Sequence, residues 1–299
     1  MNFKRIIIGP FLATVFVVVF VYAISGMQSF TESFKNKYFT ASVADAISEN
    51  KIIIPGNIAR PIIEINAGSA ISVETDLQGE DNIVFEKKSE EKLPIASLTK
   101  LMMAMLVLDN YNLSDMQVVG KMADAQSTME VDLKLGDKMS VRNLLSMALI
   151  ASSNKAAYAL SEIMGVEKFV GLMNQKAREL QLENTFFIEP TGISPGNVST
   201  AKDLVKLAKN ILKNYPQITW VTRTKELNIE GFGKIVNTDQ LLAEVPGVIC
   251  GKTGFTEEAK GCLLLVVKDE AKESYSINVI LGADDRFSEM KKLINEWTY

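Results

Sequence analysis

Strand-like segments lie at both ends of the folded part of the chain, and helical patterns occupy its middle. The strand-like runs are rich in Val, Ile and other residues that favour strands, and they cover 70–74, 82–86, 245–255, 261–267 and 275–281. The Gln-Gly-Glu-Asp sequence at 78–81 predicts a hairpin turn between the first two runs. Strands from both chain ends around a helical centre predict an α+β fold, in which helices flank an antiparallel sheet built from both ends of the domain.

Helical periodicity dominates between these strands. Apolar residues recur at helical spacing over 141–149, and Ser140 precedes them as a predicted N-cap. Further helices are expected at 156–163, 166–180, 200–213 and 288–297. An all-helical subdomain is therefore predicted over about 97–215. The β-branched residues at 219–229 alternate in part with other side chains, and this pattern predicts a strand.

A charge-free apolar run precedes the folded domain. It covers 6–24 and follows Lys4 and Arg5. About 19 helical residues span most of a hydrocarbon core of roughly 30 Å. Because cations favour the cytoplasmic side, we expect residues 1–25 to be a transmembrane signal-anchor that leaves the rest of the chain outside. A removable signal peptide with a cleavage site at 23–25 is the alternative.

Residues 26–60 mix polar, charged and scattered aromatic side chains without a core-forming pattern. This composition predicts a stalk or linker that lifts the domain off the bilayer. The folded domain is then expected to extend over 61–299.

The composition excludes several chemistries. The 299 residues contain no histidine, so a Ser-His-Asp triad, a Cys-His pair and a His-ligated zinc site are impossible, and we predict no metal and no cofactor. The net charge of −4, without basic blocks, argues against nucleic acid as a partner. Cys250 and Cys262 flank a turn at unequal distances, which favours two buried thiols over a disulfide.

Ser97 and Lys100 lie in the first turn of an expected helix that follows Pro94 and begins near residue 96 or 97. Their spacing places them on one face, and a neutral lysine can serve as the base that a serine nucleophile needs. The apolar run at 101–108 predicts burial of this turn, which favours the neutral amine. Taken alone, however, such a pair also arises by chance, and the polar cluster at 151–154 is equally typical of a capped turn.

Three short motifs in a fixed order resemble the signature of a known group of proteins. Ser97-x-x-Lys100, then Ser152-x-Asn154 about 50 residues later, then Lys252-Thr253-Gly254 about 100 further on, resemble the signature of penicillin-binding proteins and serine β-lactamases. The surrounding segments, among them LKLGDKMSVRNLLSMALIASSNKAA and KTGFT, are similar to the low-molecular-mass serine D-Ala-D-Ala carboxypeptidases. The similarity covers roughly 70–287 and implies the β-lactamase/transpeptidase-like fold.

The resemblance implies catalytic roles for four residues. Ser97 is expected to attack the carbonyl between the two D-alanines of a peptidoglycan stem peptide and to form an acyl-enzyme. Lys100 would take the hydroxyl proton as general base. Ser152 would relay that proton toward the leaving amine, and Asn154 would hold both the substrate amide and Lys100.

The resemblance also implies a substrate-binding strand. Lys252 and Thr253 are expected to bind the terminal carboxylate of the substrate, with Gly254 beside them. The backbone N–H groups of Ser97 and Phe255 would stabilise the oxyanion. Arg286 resembles an arginine that the family carries after its final strand, and it is a candidate for the same carboxylate site, although a surface charge is the alternative.

Three segments depart from the family pattern. Ser153 and Lys155 stand where Gly and Asp are usual, so we expect an added cation near the site or at its rim. Cys250 precedes the Lys-Thr-Gly motif with Gly251 shifted by one place, which leaves the local strand geometry open. Glu189 replaces the usual Asn and invites comparison with the deacylating glutamate of class A β-lactamases, but the Glu-x-x-x-Asn pattern is missing.

The resemblance implies a serine D-Ala-D-Ala carboxypeptidase, and the apolar run at 6–24 predicts that it lies in the bacterial cell membrane with its domain on the extracytoplasmic side. Its expected partners are peptidoglycan stem peptides, β-lactam antibiotics as covalent inhibitors, and the cytoplasmic membrane through the N-terminal helix. A D,D-endopeptidase of cross-linked peptidoglycan, a β-lactamase and a non-catalytic wall-binding relative remain the alternatives.

Overall fold

The computed structural model describes residues 64–76, 79–126, 133–269 and 273–298. Its strands, in chain order, are β1 (Ser69–Thr75), β2 (Asp81–Lys87), β3 (Leu93–Pro94), β4 (Met116–Val118), β5 (Lys138–Ser140), β6 (Val198–Ser199), β7 (Glu226–Ile229), β8 (Gly233–Val236), β9 (Val248–Thr256), β10 (Lys260–Asp269) and β11 (Ser274–Ala283). Its helices are α1 (Thr99–Asn110), α2 (Lys121–Asp124), α3 (Val141–Ile150), α4 (Asn154–Glu162), α5 (Val166–Glu179), α6 (Ala201–Asn214), α7 (Pro216–Thr222), α8 (Leu241–Glu244) and α9 (Arg286–Thr298).

The central sheet has five strands in the order β2-β1-β11-β10-β9. Every neighbouring pair is antiparallel, and β1 from the beginning of the domain pairs with β11 from its end, so that Ile71 lies opposite Val279. The predicted α+β fold, with an antiparallel sheet built from both ends, is confirmed. The short hairpins β4–β5 and β7–β8 and the pair β3–β6 lie outside this sheet. Because β4, β5 and β6 fall within 97–215, the subdomain predicted there is mainly helical and not all-helical.

Both faces of the sheet are buried because side chains alternate along each strand. On β10, Leu263 and Leu265 belong to a cluster that includes Met290 of α9, whereas Leu264 faces the larger core on the other side. The closing helix therefore covers one face, and helices from the middle of the chain cover the other.

Helix α1 is the centre of the helical part. Its residues from Thr99 to Val107 are all buried, as expected for a helix that is apolar around its whole circumference. It packs against α3, α4, α5 and α7. The side chain of Ser140 accepts a hydrogen bond from the Asn143 N–H at 3.2 Å, which confirms the predicted N-cap of α3.

One predicted strand was wrong. Residues 216–222 form helix α7, and only 226–229 of the expected segment at 219–229 are extended. Pro216 occupies the first turn, where its missing N–H costs no hydrogen bond. Ile218, Val221 and Thr222 are buried at helical spacing, so packing against the core outweighs the β-propensity of their branched side chains.

The predicted membrane anchor at 1–25 and stalk at 26–60 lie outside the described residues. Within the four described ranges, no helix combines the length and the apolar character that crossing a bilayer requires.

Candidate active site

Ser97 lies on a tight 3₁₀ turn, Ala96–Leu98, directly before α1 rather than inside the α-helix that the sequence predicts. Ala96 has a φ of +46°, an unfavourable conformation for a residue with a side chain. Two glycines let the surrounding backbone close on this turn. A Cβ on Gly192 would lie 1.9 Å from the Ala96 carbonyl oxygen, and a Cβ on Gly254 would lie 3.0 Å from the Ser97 nitrogen.

Lys100 is fully buried behind Ser97. Its Nζ lies 2.8 Å from Ser97 Oγ, 2.7 Å from Asn154 Oδ1 and 2.7 Å from the Thr191 carbonyl oxygen. Burial holds the pKa of Lys100 well below its ordinary value, and the positive charge of Lys252 lowers it further, while Glu189 opposes the shift.

These contacts fix the direction of the Lys100 lone pair. A neutral amine has two N–H donors and one lone pair, and the Asn154 and Thr191 carbonyl oxygens can only accept hydrogen bonds. When the amine is neutral, both N–H groups are used by these acceptors, so the lone pair faces the hydroxyl of Ser97. The arrangement can remove a proton from Ser97.

Ser152 and Lys252 form a second pair across the site. Lys252 is 1% exposed and its Nζ donates to Ser152 Oγ at 2.8 Å and to the Thr253 carbonyl at 3.0 Å. Ser152 has a φ of +56° at the end of α3. Ser153 caps α4 by accepting from the Ala156 N–H at 3.2 Å. The polar cluster is therefore a capped turn that also directs Ser152 and Asn154 into the site.

An open cavity of about 580 Å³ joins these groups. Seven of the nine predicted site residues line it: Ser97, Ser152, Asn154, Thr253, Gly254, Phe255 and Arg286. The two lysines, Lys100 and Lys252, are buried behind its wall. The structure thus brings all of the predicted residues to one place.

Arg286 begins α9 and lines the cavity. Its guanidinium lies 4.5 Å from the centre of the Phe287 ring, and burial lowers its pKa. The absence of a side chain at Gly261 leaves room for it, because a Cβ there would lie 3.0 Å from Arg286 Cβ. Arg286 is thus partly enclosed against the end of the sheet, whereas a simple surface charge would be surrounded by water.

Two residues ahead of β9 were missed by sequence reasoning. Thr238 lines the cavity, and its Oγ1 shares a 2.5 Å hydrogen bond with Thr253 Oγ1. Asp239 is 4% exposed, and burial raises its pKa to about 6 although the Leu241 N–H and the charge of Lys252 oppose the shift. A single buried Asp and Thr between a hairpin and a short helix give no periodic signal that would have singled them out.

Asp239 also explains the shifted glycine before the Lys-Thr-Gly motif. β9 runs without interruption through Cys250 and Gly251. A Cβ on Gly251 would lie 2.8 Å from Asp239 Oδ2 and 2.9 Å from Leu265 Cδ1, so a side chain there would displace the buried carboxyl group.

Lys155 does not lie at the rim of the cavity. Its Nζ donates to Asp124 Oδ1 at 2.9 Å and to the Leu133 carbonyl at 2.7 Å, and it is not among the residues that line the cavity. Successive residues on a helix point about 100° apart. Because Asn154 faces Lys100, Lys155 is turned to a different side of α4, and the expectation of a cation at the rim was wrong.

Cys250 and Cys262 are both free and buried, as predicted. Cys262 lies opposite Gly254 in the sheet, whereas Cys250 lies opposite Val266, so the two thiols do not face each other. Burial raises the pKa of each thiol to about 11. These thiols pack as small apolar groups and are poorly suited to nucleophilic chemistry.

The sequence is similar to those of several known proteins. A family model described as D-alanyl-D-alanine carboxypeptidase matches residues 56–285. The D-alanyl-D-alanine carboxypeptidase DacF of Bacillus subtilis is 34% identical over 244 residues, which are 77% of this chain and 61% of that protein. The chain thus spans about three-fifths of the length of this relative. A D-alanyl-D-alanine endopeptidase of Escherichia coli is 34% identical over 216 residues, 68% of this chain and 67% of that protein.

Solved structures show the same fold. Penicillin-binding protein D2 from Listeria monocytogenes, in its ampicillin-bound form, superposes with a TM-score of 0.72 at 27% identity, over 80% of this chain and 100% of that one. The Streptomyces K15 DD-transpeptidase superposes with a TM-score of 0.71 at 29% identity, over 78% of this chain and 97% of that one.

Proposed function

Because the chain belongs to the D-alanyl-D-alanine carboxypeptidase family, we propose that it is a serine peptidase that removes the terminal D-alanine from peptidoglycan stem peptides. The observation that carries this proposal is the buried Lys100 amine, whose two carbonyl partners leave its lone pair facing Ser97 Oγ at 2.8 Å. This is the base that a serine nucleophile requires in a chain without histidine.

In acylation, Ser97 Oγ bonds to the carbonyl carbon of the penultimate D-alanine while its proton moves to Lys100 Nζ. The peptide bond to the last D-alanine breaks, and the departing amine receives a proton through the hydroxyl of Ser152. Water then hydrolyses the ester and restores Ser97. The N–H groups of Ser97 and Phe255 are the proposed oxyanion donors, and losing one such donor typically raises the barrier by about 2.7–4 kcal/mol.

The terminal carboxylate of the substrate is expected at the β9 side of the cavity. Lys252 and Arg286 supply positive charge there, and the hydroxyl of Thr253 can donate to a carboxylate oxygen once it turns from Thr238. A peptide with a free C-terminus would therefore bind better than one whose C-terminus is amidated.

A labelled penicillin tests this function, because β-lactams acylate the same serine. Ampicillin and cefotaxime are bound in related structures of Listeria monocytogenes penicillin-binding protein D2. We expect a covalent adduct in the wild type and none in Ser97→Ala. Failure of the wild type to label would contradict the proposal. Release of D-alanine from a pentapeptide then measures the carboxypeptidase activity itself.

An endopeptidase is the second candidate, because several relatives carry the name D-alanyl-D-alanine endopeptidase. It would use the same residues on a cross-linked peptide. Comparing the hydrolysis of a pentapeptide with that of a cross-linked muropeptide dimer distinguishes the two activities. A β-lactamase is disfavoured because the Glu189 carboxylate accepts hydrogen bonds from its own loop, so the penicillin adduct should persist.

We further propose that residues 1–25 anchor the chain in the bacterial cell membrane, with the peptidase domain on the extracytoplasmic side. Support comes from the apolar run at 6–24 and from the cations Lys4 and Arg5 before it. Protease added to intact spheroplasts should remove the domain while the chain sediments with membranes. A soluble protein that lacks its first residues would instead indicate a cleaved signal peptide.

A further inference from the structure

Glu189 begins the loop 189–197 beside the candidate active site, and both of its carboxylate oxygens are used within that loop. Oε2 accepts from the N–H and the hydroxyl of Thr191, at 2.7 and 2.5 Å. Oε1 accepts from the Gly192 N–H at 2.6 Å, from Asn197 Nδ2 at 2.9 Å and, more weakly, from the Ser194 N–H at 3.5 Å. The side chain therefore closes the loop on itself.

The residues held by Glu189 are those that contact the reactive turn. The Thr191 carbonyl accepts from Lys100 Nζ at 2.7 Å, and Gly192 lies directly against the Ala96 carbonyl. The Gly192 N–H belongs to the same planar peptide unit as the Thr191 carbonyl, so its hydrogen bond to Glu189 sets the direction in which that carbonyl points. One carboxylate thus fixes an acceptor of the catalytic amine without contacting that amine.

The chemistry of this position favours a carboxylate. Every group that faces Glu189 at hydrogen-bond distance is a donor: the backbone N–H groups, the Thr191 hydroxyl and the Asn197 amide. An ionised carboxylate accepts at both oxygens, whereas an amide would direct its own N–H groups at one set of these donors. A glutamine would therefore leave part of the network unsatisfied.

Glu189 also acts on Lys100 through its charge. Among the described residues, the charged groups that act on the Lys100 amine are Lys252 of β9 and Glu189 of the loop. Lys252 disfavours the protonated amine and Glu189 favours it, so the two act in opposite directions on a group whose pKa burial already lowers.

We propose that Glu189 is a positioning residue for acylation: its carboxylate holds the Thr191 carbonyl on Lys100 and places a negative charge near that amine, opposite in sign to the charge of Lys252. This role rests on the proposed function, because it concerns the base of that reaction. It differs from the role of a deacylating glutamate, since the carboxylate is engaged in the loop and does not contact the cavity.

The test combines three variants of the full-length protein. Glu189→Gln removes the charge, Glu189→Asp keeps the charge but shortens the side chain, and Thr191→Val removes the hydroxyl donor while keeping the charge. Glu183→Gln, at an exposed position six residues earlier, is the matched control for the loss of one carboxylate. The first readout is the pH dependence of acylation by a labelled penicillin.

When the acylation rate is plotted against pH, it should rise along an acid limb and then reach a plateau. In Glu189→Gln the acid limb should move to lower pH. The plateau rate should fall on the order of 10-fold, because the Thr191 carbonyl is less well held. Glu189→Asp and Thr191→Val should lose rate with the limb unmoved. Glu183→Gln should match the wild type. An unmoved limb in Glu189→Gln, or a full rate in Glu189→Asp, would overturn the proposal.

A second readout does not depend on catalysis. In protein labelled with ¹³C at lysine Cε, the Lys100 signal is assigned by its loss in Lys100→Arg and titrated by NMR. The titration should move to lower pH in Glu189→Gln and stay in place in Glu183→Gln. If the wild type fails to react with penicillin, the proposed function fails, whereas an unmoved Lys100 titration in Glu189→Gln refutes the role of Glu189 alone.

Discussion

Replacing Asp239 by Asn tests the electrostatics behind the strand that carries Lys252. Asp239 is 4% exposed, and its Oδ1 accepts a hydrogen bond from the Leu241 N–H at 3.0 Å. Its Oδ2 has no hydrogen-bond partner among the described residues. A carboxylate in this position is poorly solvated, which is why burial raises the pKa of Asp239 from 3.8 to about 6.

The sign of the pH effect follows from proton binding. Between pH 3.8 and about 6 the folded protein binds more protons at Asp239 than the unfolded chain does, so the free energy of unfolding falls as the pH rises through this window. The pKa difference of about 2 units corresponds to about 3 kcal/mol at 1.36 kcal/mol per unit. Asn does not titrate, so Asp239→Asn should be more stable than the wild type by up to about 3 kcal/mol at pH 7 and nearly equal to it below pH 4.

Urea unfolding at pH 4, 5, 6 and 7, followed by tryptophan fluorescence, measures this difference. Asp115→Asn, which removes an exposed carboxylate, is the control for the loss of one negative charge. The stability gain of Asp239→Asn should appear between pH 4 and pH 6 and then level off. A gain of the same size at pH 4 and pH 7 would refute the reasoning, because it would not arise from ionisation of the buried carboxyl.

Two further predictions concern packing. Gly192→Ala should lower the free energy of unfolding by on the order of 3 kcal/mol or more and should reduce acylation. The reason is that the new Cβ would overlap the Ala96 carbonyl and that residue 192 has a φ of +90°. Thermal unfolding and penicillin labelling measure the two effects, and wild-type values would contradict the close approach. Cys250 and Cys262 should resist alkylation by iodoacetamide in the folded protein and react fully in urea, since burial raises both thiol pKa values to about 11. Rapid alkylation of the folded protein would contradict this, because it would show that a thiol is accessible.

The fold was largely predictable because its main signals are periodic. The alternating and continuous apolar runs at 245–281 predicted β9, β10 and β11, and the Gln-Gly-Glu-Asp turn predicted the β1–β2 hairpin. The helix at 216–222 was missed because the β-branched residues of 219–229, such as Val221 and Thr222, predicted a strand there. The burial of Ile218, Val221 and Thr222 on one helical face outweighs that local preference.

The identity of the site residues was predictable because most of them belong to three motifs that occur in a fixed order. The direction of a side chain was harder to predict, because it depends on contacts between distant segments. Lys155 follows Asn154 directly, yet it binds Asp124 and the Leu133 carbonyl away from the cavity. Asp239 was not predicted at all, since its burial depends on how the segment before β9 packs against Gly251.

The central claim is that Lys100, held by Asn154 and the Thr191 carbonyl, accepts the proton of Ser97. Lys100→Arg tests it most directly, because it keeps a long basic side chain in place while a guanidinium does not lose its proton at any working pH. Acylation by a labelled penicillin should be abolished in Lys100→Arg, while circular dichroism shows an intact fold. An acylation rate near that of the wild type would contradict the account, since the proton would then have to leave Ser97 by another route.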